Sequence, residues 1–348
     1  MNKLIDLIRP DLRHFKPYSS ARDEAKQGKI WLNANESPWD YSHAGFNRYP
    51  EKQPAILINK MSALYGIQPE QLALLRGSDE AIDLLTRLFC RAEKDAVMIC
   101  PPTFGMYAVC AHLQGVDIIE VPLKKENDFQ LDTQAILNVW TSAVKLIYIC
   151  TPNNPTANTI PEADILKLCE HFRGKSIVVV DEAYVEFSSG GSMATHIPQY
   201  ENLAVLRTFS KAYGLAGTRF GAILAQAELI RWINAIAAPY PLPSPTIDVT
   251  IKALACENLA KVQTDIVCIK QQREYLMAEL KASPLIRKIW PSDANFILVE
   301  AVDSEKMMQI CMKQGIVLRH MHGKPGLENC IRISIGTPEE NQALLAAL

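Results

Sequence analysis

Four consecutive β-branched residues, Ile177-Val178-Val179-Val180, run directly into an acid, Asp181. A strand that is apolar on both faces must be covered on both faces, as strands inside a parallel sheet are. Similar short runs lie at 96–100, 117–121, 145–150, 204–208 and 220–225. Stretches with helical spacing separate them, at 79–91, 105–114, 131–139 and 163–172. This alternation predicts an α/β fold: a mostly parallel sheet with helices on both sides.

The pattern changes at 238–245, where four residues in eight are proline. Proline cannot continue a helix, so this is a stiff break. Beyond it a long helical pattern runs over 246–281. Short runs at 295–300, 317–320 and 330–335 surround a helix at 304–314, and a last helix at 338–348 begins with Thr337 as cap and Glu340 three residues on. The expected division is an arm at 1–29 packing on the smaller unit, a large unit at 30–240, and a small α+β unit at 241–348.

Charge excludes some partners. The 36 basic and 38 acidic residues leave a formal charge of −2, which gives no electrostatic reason for nucleic acid or an anionic membrane as partner. The apolar runs are far too short to span a bilayer, and the first 17 residues lack the apolar centre of a signal peptide. The nine cysteines are odd in number and form no CxxC. A reduced, cytoplasmic protein is expected, without a disulfide framework or structural zinc. His320 and His322 lack a third ligand and make no metal site.

Four motifs carry chemistry. In Thr208-Phe209-Ser210-Lys211-Ala212-Tyr213-Gly214 a lysine follows a strand in a loop of small residues, and Arg219 stands eight positions on. Such a lysine can form an imine with an aldehyde if its surroundings lower its pKa. Ser210 and Arg219 suit a phosphate. Asp181 sits at the C-terminal end of its strand, the edge at which open α/β sheets bind ligands. A buried carboxylate there needs a cationic or hydrogen-bonding partner, and a protonated pyridine nitrogen would serve. Cys150-Thr151-Pro152-Asn153-Asn154-Pro155 forms a rigid turn after another strand, and the amide of Asn154 can donate to an anionic oxygen. Ser78 is the expected N-cap of an amphipathic helix whose free N–H groups suit an anion.

Each motif alone has an ordinary reading: a solvated lysine, a strand-end acid, a turn, a cap. Gly174-Lys175-Ser176 ends like a phosphate-binding loop, but Cys169 stands where that loop needs glycine and a strand follows where a helix should. Together the four motifs describe a pyridoxal phosphate site.

With these motifs the chain resembles the fold-type I pyridoxal phosphate aminotransferases of class I/II. The likeness covers nearly all of it. Trp31-Leu32-Asn33-Ala34-Asn35-Glu36, Asn47-Arg48-Tyr49-Pro50-Glu51 and Lys16-Pro17-Tyr18 are similar to the subgroup that acts on L-histidinol phosphate. The resemblance implies a large domain with a seven-stranded sheet and a smaller C-terminal domain. It implies that Lys211 holds the cofactor, Asp181 pairs with its ring nitrogen, and Asn154 and Tyr184 bond its phenolic oxygen. Ser78, Asp79, Ser210 and Arg219 would surround its phosphate, and Phe104, where many relatives have Tyr, would stack on its ring. Tyr49 would reach the neighbouring subunit's cofactor in a homodimer. Arg332, Arg319 and Tyr18 would bind substrate carboxylate and phosphate, with Asn33 and Asn35 lining the mouth. The implied reaction converts L-histidinol phosphate and 2-oxoglutarate to imidazole-acetol phosphate and glutamate. An aromatic amino acid aminotransferase or a threonine-phosphate decarboxylase of the same fold remains open. A transcription regulator would need a DNA-binding unit ahead of residue 30, for which there is no room.

Overall fold

A computed structural model of the chain describes residues 4–21 and 28–348. Seven strands form the large sheet: β1 Leu72–Leu75, β2 Ala96–Ile99, β3 Asp117–Glu120, β4 Val144–Cys150, β5 Ile177–Asp181, β6 Leu203–Thr208 and β7 Gly221–Ala225. Their spatial order is β1-β7-β6-β5-β4-β2-β3. β7 is antiparallel to both neighbours; every other adjacent pair is parallel.

Alternate residues of these strands feed two separate cores, as a period of two requires. Val178, Val180, Leu203 and Val205 are buried under the helices Ala55–Tyr65 and Glu162–His171. Ile177, Val179, Ala204 and Leu206 are buried on the other face, with the helices Ser78–Phe89, Met106–Gln114 and Ala227–Ile236.

A second, antiparallel sheet contains β8 Ile286–Ile289, β9 Phe296–Ala301, β10 Arg319–His320 and β11 Cys330–Ser334, in the order β10-β11-β9-β8. Ile297, Val299, Ile331 and Ile333 bury one face of it against Leu276, Met307 and Leu344 of three helices. The last helix starts with the expected capping box of Thr337 and Glu340.

Three expectations need correcting. The single helix over 246–281 is two, Ser244–Ala253 and Cys256–Leu280. Leu254 between them is buried with the large sheet's core, as are Leu242 and Ile247. The described start of the N-terminal arm, expected on the small unit, packs on the large unit. Leu4, Leu7 and Ile8 are buried with Leu88 and Phe89 of the large unit, and the Arg9 N–H donates to the Leu88 carbonyl at 3.1 Å. An apolar stripe of three residues finds cover wherever the nearest helix end is exposed. Finally, Gly77 rather than Ser78 is the N-cap of Ser78–Phe89.

Candidate active site

The parallel strands β4, β5 and β6 end at one rim. Asp181 is in register with Cys150 on one side and Leu206 on the other. Immediately after β6, Phe209 turns inward and is fully buried, stacked on Tyr213 with ring centroids 4.0 Å apart. That anchor leaves Lys211 facing a cavity of about 580 Å³, which Asp181, Tyr184, Asn154, Phe104 and Arg332 also line. The amine and the acid, 30 positions apart in sequence, thus meet at one rim of the sheet.

Asp181 is almost wholly buried, and its burial pushes the carboxyl up to about 6. Two donors work against that rise. The Tyr107 hydroxyl donates to Oδ2 at 2.8 Å and the Ala183 N–H to Oδ1 at 3.1 Å. Tyr107 is itself fully buried and stacked on Tyr148. Lys211 is shifted the other way. Partial burial lowers its affinity for a proton, and the Arg332 guanidinium adds repulsion. Its Nζ lies 5.4 Å from the centre of the Tyr184 ring.

A second corner of the cavity is built for an anion. The helix Ser78–Phe89 begins without a side-chain cap, so its first N–H groups are free for a ligand. Gly77 has φ +79°, and a Cβ there would lie 3.0 Å from the Arg219 guanidinium. The Arg219 Nη1 donates to Ser210 Oγ at 3.3 Å and its Nη2 to Asp79 Oδ2 at 3.0 Å. Because the Asp79 carboxylate would repel an anion, what Asp79 can offer is its backbone N–H.

A third corner joins the two sheets. The Arg332 Nη1 on β11 donates to Asn154 Oδ1, and the Asn154 Nδ2 lies 3.3 Å from the Tyr184 hydroxyl. The amide N–H thus donates to the phenol oxygen, which keeps the phenol O–H available to a ligand's acceptor oxygen. Arg319 on β10 is the direct cross-strand partner of Arg332. Like charges opposite one another destabilise a sheet. Among the described residues neither arginine forms an ion pair with a carboxylate. Their shared surplus of positive charge marks a place for an anionic ligand.

Nine of the expected residues line this cavity, besides Lys211 and Asp181: Ser78, Asp79, Phe104, Asn154, Tyr184, Ser210, Arg219, Arg319 and Arg332. Four others do not line it within their own chain. Tyr49 is half-exposed and stacks on Tyr240 at 4.3 Å, beside a second cavity that it shares with Asn35. The Asn33 amide donates to the Ala21 carbonyl at 2.7 Å. Tyr18 is exposed. These four belong to a stretch with no long helix or strand, which gives nothing to press them against the rim. Conversely, Tyr107 and Lys324 belong to the site without having been expected there. A tyrosine in the first turn of a helix after a strand loop was the available signal for Tyr107; Lys324 had none.

A ligand suited to this lining carries a carbonyl for Lys211, a cationic nitrogen for Asp181 and an anionic group for the corner between Gly77 and Arg219. Among the described residues no cluster of His, Cys, Asp and Glu could hold a metal ion, and no helix is long and apolar enough to cross a membrane.

The profile of the family described as aminotransferase class I and II matches residues 15–348. A curated histidinol-phosphate aminotransferase from Francisella philomiragia is 45% identical over 98% of this chain and 94% of its own length. One from Stenotrophomonas maltophilia is 44% identical over 100% and 97%. Among solved structures, the histidinol-phosphate aminotransferase of Clostridium acetobutylicum superposes with a TM-score of 0.79 at 23% identity, covering 87% of this chain and 90% of that one. The histidinol-phosphate aminotransferase of Sinorhizobium meliloti, solved in complex with pyridoxal-5'-phosphate, gives 0.77 at 24%, covering 87% and 82%.

Proposed function

Since the chain belongs to the class I and II aminotransferase family, we propose that it transfers the amino group of L-histidinol phosphate to 2-oxoglutarate, with pyridoxal 5'-phosphate as cofactor. The observation that carries this reading is the meeting, on one cavity, of Lys211, Asp181 and two arginines that have no carboxylate partner among the described residues. The names of the curated relatives support the choice of substrate.

The fit to the cofactor is residue by residue. Lys211 would hold its aldehyde, Asp181 its ring nitrogen, and Asn154 with Tyr184 its phenolic oxygen. Phe104 would stack on the ring. The N–H groups of Ser78 and Asp79, with Ser210 and Arg219, would hold its phosphate. When bound, the cofactor supplies an electron sink that weakens the Cα–H bond of the amine attached to it.

The chain's own residues do the rest. Asp181 keeps a proton on the ring nitrogen, because a carboxylate with little water around it gains most from an adjacent cation. Lys211, with its amine facing the cavity, would take the proton from the substrate Cα at its Nζ, acting as general base and then as general acid. Its lowered proton affinity leaves more of the amine free to act as base near neutral pH. Arg332 and Arg319 bind the anionic end of each substrate in turn, since a guanidinium fork suits carboxylate and phosphate alike.

The same reading includes a cytoplasmic homodimer. Ile30, Leu32, Trp39 and Tyr41 are strongly exposed on the stretch that holds Tyr49. A second copy covering them would exclude that apolar surface from water and would bring Tyr49 to the partner's phosphate corner. Tyr18, Asn33 and Asn35 would then line the mouth of the site.

The test is an amine screen with 2-oxoglutarate that follows glutamate formation. Histidinol phosphate should be used with a kcat/KM at least tenfold above that for phenylalanine, at about 1.4 kcal/mol per tenfold. Preference for phenylalanine, or carbon dioxide release from threonine phosphate, would overturn the assignment.

A further inference from the structure

We propose that Lys324 is a specificity-determining residue: a third cation that, with Arg319 and Arg332, selects a dianionic phosphate monoester over a singly charged carboxylate at the far end of the cavity. The inference rests on the substrate reading above and deepens it.

Lys324 lines the cavity together with Arg319 and Arg332. It stands on a short loop that connects β10 to β11, and the loop is held at both ends. Met321 and Leu327 are buried in the large core. The Lys324 N–H donates to the Met321 carbonyl at 3.1 Å, and the Leu327 N–H to the Lys324 carbonyl at 3.1 Å. From the large unit, the Lys125 ammonium donates to the Gly326 carbonyl at 2.8 Å. A long, flexible side chain is therefore presented from a fixed base.

The side chain itself is exposed and reaches toward the large unit. A Cβ built on Gly105 would lie 4.0 Å from the Lys324 Nζ. Gly105 follows Phe104, which lines the same cavity. The ammonium thus crosses from the small sheet's loop to the large sheet's loop at the cavity wall. Among the described residues it has no ion pair. The Glu328 carboxylate on the same loop is turned to the Gly326 N–H.

2-Oxoglutarate divides its two charges between two carboxylates, whereas the phosphate monoester concentrates two on one group, so three cations at one end of the cavity favour the phosphate. A dianion gains about twice the Coulomb energy of a monoanion from each of them at equal distance. Removing one should therefore penalise the phosphate substrate more than the keto acid.

The experiment compares Lys324→Met and Lys324→Arg with the wild type, each as the cofactor-loaded enzyme. KM for histidinol phosphate should rise about tenfold in Lys324→Met, the usual scale for losing one charge-assisted contact, and by more than any fall in kcat. KM for 2-oxoglutarate should rise less. Inorganic phosphate should inhibit glutamate turnover more weakly in Lys324→Met than in the wild type, and Lys324→Arg should restore both readouts. Equal effects on the two substrates, or unchanged inhibition by inorganic phosphate, would overturn the role of Lys324. A wild-type enzyme that does not use histidinol phosphate, yet binds inorganic phosphate through Lys324, would overturn the substrate reading and leave the anion preference standing.

Discussion

The Tyr107 hydroxyl donates to Asp181 Oδ2 at 2.8 Å, across a packed helix–sheet interface where neither group meets bulk water. The bond gives a buried carboxylate one of the two hydrogen bonds that keep it ionised, and leaves it acceptor capacity on the cavity side.

Tyr107→Phe removes that donor and keeps the ring's stacking on Tyr148. Without it the carboxylate is less stable, so the Asp181 pKa rises whether cofactor is bound or not, starting from about 6 in the cofactor-free protein. The acidic limb of the kcat/KM profile should move to higher pH, and kcat should fall by roughly tenfold, within the range for a hydrogen bond to a charged group. A pH–rate profile measures both. A limb that stays in place would mean that Tyr107 only fills space.

Asp181→Asn should separate activity from stability. The folded pKa of Asp181 is raised, from 3.8 to about 6. Its stabilising contribution is therefore present below pH 4 and is lost as pH rises through 6. At pH 8 the cofactor-free protein bears the cost of a buried charge, on the order of 3 kcal/mol for such a shift. Asp181→Asn should raise the melting temperature of cofactor-free protein at pH 8, by less at pH 4, while turnover falls by orders of magnitude. Equal melting shifts at both pH values would contradict the linkage.

Gly221 is a packing requirement of the phosphate corner. A Cβ there would lie 2.7 Å from the Arg207 carbonyl oxygen and 2.7–2.8 Å from backbone atoms of Gly77. None of these atoms can swing aside. Gly221→Ala should destabilise the protein by about 2 kcal/mol, as overpacking does, and weaken cofactor binding by displacing Gly77. Thermal melting and fluorescence titration of pyridoxal phosphate would show it. An unchanged affinity would place the strain away from the site.

If Tyr49 acts across a dimer interface, mixing Tyr49→Phe chains with Lys211→Ala chains should form hybrids that contain one site with both native residues. Activity per intact Lys211 should exceed that of the Tyr49→Phe protein alone. No gain on mixing, with hybrids verified by mass, would argue for Tyr49 acting within its own chain or not at all.

What was legible in the sequence follows its physics. Strands such as Ile177–Asp181 are β-branched and apolar throughout, so period and composition agree. β1 carries no strand signal, because Leu-Ala-Leu-Leu favours a helix by composition and becomes a strand only through pairing with β7. β8 is equally silent in the sequence, because Ile-Arg-Lys-Ile is an edge strand with exposed charges. The break after Ala253 left no mark, since Leu254 and Ala255 are good helix formers. In the site, residues at strand ends were legible: strand direction alone puts Asp181 and Lys211 on one rim. Tyr107 and Lys324 were not, because their roles depend on where a helix face and a loop tip come to rest in space.

The covalent role of Lys211 is tested most directly by reducing the cofactor-loaded enzyme with borohydride, digesting it, and mapping the lysine that carries the pyridoxyl phosphate. The modified peptide should be the one containing Lys211, and Lys211→Ala should yield none. A phosphopyridoxyl group on any other lysine, or an unmodified Lys211 in fully active enzyme, would contradict the account.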